Sequence, residues 1–146
     1  MNAAPTASVP PRVLRRLGPP LAALAAVAGP AAYVAAVDPN APGHYPDCPF
    51  LAATGWWCPG CGGLRCVHAL AHGDLTSALH DNAVAVLLLG VLAVLWLRWA
   101  WAALTGGAPP GVSVGARRWA LIGLLVLVFA VVRNLPVGAG LAPPLV

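Results

Sequence analysis

The chain has 146 residues, 60% of them hydrophobic and only 8% charged, with a mean hydropathy of +0.80. A soluble domain carries roughly a quarter charged residues, so these side chains cannot coat a water-facing globule and lipid must take the place of solvent. The net charge of +4 comes from arginines at the ends of apolar segments rather than on one polar face, which excludes a nucleic-acid footprint.

Residues 1–16 carry Arg12, Arg15 and Arg16 and are expected to form a disordered cytoplasmic N-terminus. The first apolar segment covers 17–37, with Pro19 and Pro20 at its start and Pro30 inside, where it should kink the helix. Its arginine-bearing start and Val34-Ala35-Ala36 also resemble a secretory signal with a small-residue cleavage site. Its length and its prolines weigh against cleavage. A loop over 38–82 leads to a second apolar segment, 83–104, and a third covers 119–137. Each is close to the roughly 20 residues that cross a bilayer core. Trp96, Trp99, Trp101 and Trp119 gather at the second-to-third connection as an interfacial belt. Residues 138–146 are expected to be disordered.

Orientation follows from the arginines. Arg12, Arg15, Arg16, Arg98, Arg117 and Arg118 flank one side of this arrangement, and only Arg65 and Arg133 the other. The expectation is therefore an all-α, multi-pass plasma-membrane protein of three transmembrane helices over 17–137. Its N-terminus is cytoplasmic, and the 38–82 loop and the C-terminus are extracytoplasmic.

All four cysteines and all four histidines lie in that loop. Its first half, punctuated by Pro39, Pro42, Gly43 and Pro46, favours turns. After Gly62-Gly63 the spacing becomes helical. Gly73 suits a helix end and Asp74 the N-cap of a short second helix over 75–80, with Asp81 or Asn82 capping the membrane helix. This pair is expected to lie along the outer membrane face.

Cys58-Pro59-Gly60-Cys61-Gly62 is the sharpest motif. Two cysteines two residues apart can share one tetrahedral metal such as zinc, and Cys48 with His68 or His72 would complete a Cys3His set. The same spacing at a helix start supports a redox pair, Cys58 and Cys61, with a depressed thiol pKa at Cys61. Structural disulfides are the third reading, since extracytoplasmic cysteines commonly pair. No Ser/His/Asp arrangement, phosphate loop or His-Glu-x-x-His motif is present, so no catalytic constellation accompanies the thiols. Arg133-Asn134 near the end of the third segment either reaches the headgroups or bonds loop carbonyls or Asp47.

The pattern DP-x-x-PG-x-x-P-x-CPF, then TG-x-x-CPGCG-x-x-R, then AL-x-HGD, a strong apolar run and a late RN resembles the bacterial family called domain of unknown function 2752. The resemblance covers about 38–134. It picks out Cys48, Cys58 and Cys61 as the shared trio, with Arg65, His72, Asp74, Arg133 and Asn134 at family-like positions. Leu64 stands where the family often has threonine, and Cys66 and His68 are particular to this chain. The resemblance implies membrane class and fold without supplying an activity. The expected role is a non-enzymatic membrane protein whose loop, held by disulfide or metal, contacts a protein partner; the alternative is a thiol–disulfide oxidoreductase.

Overall fold

The computed structural model describes residues 11–108, 111 and 114–143, and these form helices with no strand among them. The expected disorder of residues 1–10 and 144–146 and the Arg12 side chain lie outside the described residues. Helix α1 spans Pro11–Ala36, starting six residues before the expected position, and Pro19, Pro20 and Pro30 all lie within it. Pro49–Thr54 forms α2, Gly63–Ala71 α3, Leu75–Thr105 α4 and Ala116–Val132 α5, and a 3-10 helix follows over Pro136–Leu141.

Within α4 the backbone breaks at Asn82 (φ −164, ψ 93), which divides a short helix from the apolar one as the sequence led us to expect. At that kink the Asn82 Oδ1 accepts the Ala85 N–H at 2.9 Å, so it caps the apolar stretch that follows. Asp74 caps the preceding turns by accepting the Ser77 N–H at 2.9 Å. Helix α5 ends at Val132 rather than running past Pro136. Leu135 is pushed to φ −98, ψ 155, as the residue before a proline is. Residues 138–141, the start of the segment expected to be a disordered tail, instead belong to the 3-10 helix, which packs on α4.

Helix α3 rests on α4 through a small core of Cys66, Ala69 and Ala78, flanked by Leu70, Ala85, Val86 and Leu89. Helix α1 packs against both. Elsewhere α4 and α5 leave Leu87, Leu88, Leu97, Leu121, Leu124 and Leu127 exposed. Val13–Ala36 and Leu75–Thr105 are long and apolar enough to cross a membrane, with mean hydropathies of 1.4 and 2.2 over their most apolar stretches. Together these support a membrane protein.

Trp96 is a packing residue between α1 and α4. Its indole N–H donates to the Pro20 carbonyl at 2.9 Å, tying α4 to α1 where Pro20 is fully buried. Trp96→Phe keeps the ring and leaves that carbonyl without this donor. It should lower the thermal stability of the detergent-solubilised protein by about 1 kcal/mol, measured beside Trp101→Phe, whose 69%-exposed ring should be replaceable at little cost.

Candidate metal centre

Two short segments deliver three sulfurs to one point. Cys48 is the N-cap of α2, a helix that the sequence reading missed. Pro49, preset for a first helical position, and Gly55, left-handed at φ +71, bracket it. That bracket is the signal in the sequence. Backbone N–H groups in the first turn of α2, that of Leu51 foremost, draw the Cys48 thiol below the ordinary range. Cys58 to Cys61 forms a tight turn in which the Cys61 N–H donates to the Cys58 carbonyl at 3.2 Å.

The Cys58 and Cys61 sulfurs are 2.9 Å apart and those of Cys48 and Cys58 3.6 Å apart. All three lie within 4.8 Å of one another. Both separations exceed the roughly 2.05 Å of a disulfide bond. Tetrahedral Zn–S bonds of about 2.3 Å set neighbouring sulfurs about 3.8 Å apart, so the wider pair is already near that spacing and the closer one opens by about 0.9 Å. Cys61 departs from expectation: burial pushes its thiol up to about 12. Loss of water around the sulfur outweighs any pull from the start of α3.

Three side chains from distant segments hold this turn by its backbone. Arg133, 1% exposed, donates from Nη1 to the Cys58 carbonyl at 3.0 Å and the Cys61 carbonyl at 3.2 Å, and from Nη2 to the Asp81 carbonyl at 3.3 Å. Its guanidinium also lies 4.8 Å from the centre of the Phe129 ring. Asn82, equally buried, donates to the Pro59 and Cys61 carbonyls at 2.8 and 3.1 Å. Asn134 pairs with Trp57 as a strand would, accepting its N–H at 2.7 Å and donating to its carbonyl at 2.9 Å. Of the partners considered for Arg133, loop carbonyls are present and Asp47 is not among them. The sequence reading gives Asn82 a cap alone. The further signal was an amide standing directly before an apolar run, where every polar group needs partners.

The histidines do not join the sulfurs. Because α3 docks on α1, His68 Nδ1 lies 2.8 Å from the Val34 carbonyl oxygen and its Nε2 3.9 Å from Asp38. His72 stacks on His68 with ring centres 4.3 Å apart and sits 2.9 Å from the His68 carbonyl oxygen. The Cys3His set is thereby reduced to three cysteines. Cys66, with 0% exposure, belongs to the α3–α4 core, and burial raises its thiol. Asp74 remains a helix cap. Arg65, within electrostatic reach of Asp81, lines a cleft of about 470 Å3 beside the sulfurs, together with Tyr45, Asp47, Cys48, Cys61 and Leu64. Three convergent sulfurs on a backbone held from outside can bind a soft divalent ion, or can exchange electrons as thiols.

Residues 48–96 match the family model described as Protein of unknown function (DUF2752), which contains the three cysteines and Asn82 but not Arg133 or Asn134. No curated protein and no solved structure matches the chain.

Proposed function

We propose that this chain is a three-span membrane protein whose Cys48, Cys58 and Cys61 hold one zinc-class ion at the extracytoplasmic surface. The ion organises the 38–82 loop as a contact surface for a protein partner. One observation carries the metal reading: Arg133 is a buried guanidinium with carbonyl partners and, among the described residues, no carboxylate. Carbonyls accept from Nη1 and Nη2, but Nε is buried without a partner and the charge is left unbalanced, and an unbalanced buried charge is expensive. A divalent ion on three thiolates carries one net negative charge, which Arg133 cancels. The high thiol pKa of Cys61 is no obstacle, because a bound dication deprotonates its ligating thiols outright.

The membrane arrangement rests on two groups of helix ends. The ends of α1, α4 and α5 that meet the cysteine module carry His68–Val34, Arg133–Asp81 and Asn134–Trp57 contacts. At the opposite end Arg16 lies against Gly106, beyond α4, on the arginine-rich side. Helix α5, 17 residues long, extends roughly 25 Å, close to the hydrocarbon thickness. Reporter fusions after Ala41 and after Gly106 should therefore localise on opposite sides of the membrane, and a shared location would sink the orientation.

Metal analysis tests the centre. Protein purified in detergent with a phosphine reductant and exposed to zinc should retain about one ion per chain. Cys48→Ser, Cys58→Ser and Cys61→Ser should each lose it, and Cys66→Ser should keep it. Because the ligands must shed protons, retention should fall as pH is lowered. A wild-type chain that retains no metal would reject this reading in favour of the dithiol one, for which the 2.9 Å approach of Cys58 and Cys61 is the supporting contact.

A further inference from the structure

The three sulfurs are one ligand short of a tetrahedron. No histidine, aspartate or glutamate atom among the described residues joins them within 4.8 Å, and a structural zinc site is almost always four-coordinate. His68 and His72 are turned to α1 and to each other, and His80 Nδ1 lies 3.2 Å from the Gly140 carbonyl oxygen. Three protein ligands with an open fourth position is the arrangement of a metal that engages something from outside.

The cleft beside the sulfurs shows the route. Cys48 and Cys61 are part of its wall, so the cleft adjoins two of the three sulfur-bearing residues. Gly60, Gly62 and Gly63 line the same wall and put no side chain in the way. The remaining surface mixes apolar groups (Leu51, Trp57, Leu64) with one cation, Arg65, and one carboxylate, Asp47. Apolar walls disfavour a strongly hydrated oxyanion, while the sulfur-rich centre favours a soft donor. A fourth thiolate raises the charge of the centre to two negative units, of which the buried Arg133 guanidinium offsets one.

We propose, building on the metal centre above, that its fourth position opens on this cleft and is filled by the thiolate of an exogenous thiol, either a small molecule or a cysteine in a peptide. One metal–sulfur bond forms, the thiol proton passes to solvent, and no electrons are exchanged. The role is capture of a thiol-bearing partner, not thiol oxidation.

Cobalt makes this visible. The detergent-purified full chain, kept reduced with a phosphine and loaded with cobalt(II), is titrated with ethanethiol and separately with glutathione. The sulfur-to-cobalt charge-transfer absorption should rise saturably by about a third as three sulfurs become four, with cobalt still bound to protein after gel filtration. A response to ethanethiol alone identifies a small-thiol ligand, and a tighter response to glutathione a peptide cysteine. Leu64→Trp places bulk on the cleft wall at a side chain 45% exposed. It should load cobalt normally yet need at least tenfold more thiol. Normal cobalt loading with no thiol response, loss of cobalt to the thiol, or an undiminished response in Leu64→Trp would each overturn this inference while leaving the metal centre standing. Failure to load cobalt at all would remove both.

Discussion

Arg133→Ala should open the cysteine turn and, with it, abolish the proposed metal binding, at a cost on the order of 3 kcal/mol or more. The guanidinium donates to the Asp81 carbonyl, shares the Cys58 carbonyl with the Cys61 N–H, and shares the Cys61 carbonyl with Asn82. Alanine would leave buried carbonyls without it and strand the negative centre without a counter-charge. Maleimide labelling of Cys48 and Cys58 in detergent should accelerate by tenfold or more, and zinc retention should fall to background. Arg133→Lys keeps the charge but has no planar fork to bridge three carbonyls, so it should fall between wild type and alanine. Arg98→Ala, in a pocket with Trp101 at the opposite end of α4, should leave labelling unchanged. Equal, negligible effects of Arg133→Ala and Arg98→Ala would show that the guanidinium is not what holds the turn.

Gly62→Ala should be nearly as damaging, although it adds one methyl group. Gly62 sits at φ +81, a left-handed conformation, and a Cβ there would run into the Asp81 carbonyl while also lying 3.3 Å from Pro143. That carbonyl belongs to the turn just before the Asn82 kink and accepts from Arg133, so it cannot step aside without breaking the clamp. Left-handed strain of roughly 1–2 kcal/mol and overpacking of about 1–3 kcal/mol together give an expected loss of about 2–5 kcal/mol. Gly60→Ala is the comparison, since its Cβ would meet only the Cys58 sulfur at an ordinary 3.8 Å. Denaturant unfolding followed by tryptophan fluorescence should separate the two. A Gly62→Ala protein as stable as Gly60→Ala would show that the approach of Asp81 to the turn is not maintained in solution.

The contrast between those glycines shows where sequence reasoning reached and where it stopped. The apolar helices are legible because lipid imposes a composition that no local detail overrides. The convergence of Cys48 with Cys58 and Cys61 is legible from the CPGCG motif and the family resemblance. Cap chemistry is legible at Asp74, whose role needs only the next three residues. Helix α2 escaped because six residues between Cys48 and Gly55 are too few for periodicity, and they follow directly on the turn-favouring Pro39, Pro42, Gly43 and Pro46. The histidine assignment failed for a different reason. His68 and His72 share a face at helical spacing, but which neighbour that face meets depends on how α3 docks on α1. Asn82 and Gly62 acquire their roles only through contact across about twenty residues of chain, information that no local window contains.

The clamp also imposes a schedule on biosynthesis. Arg133 is 75 residues beyond the Cys58 carbonyl that it holds. At ribosomal rates of about 5–20 residues per second, the thiols exist for roughly 4–15 s before their guanidinium is made. During that interval Asn82 is the one side chain of the three that can hold the turn, and the cysteines are open to oxidation or mispairing. Assembly of this centre is therefore a late event that follows the last helix. An oxidised or wrongly paired product would be decided during synthesis, before the mature clamp could protect it.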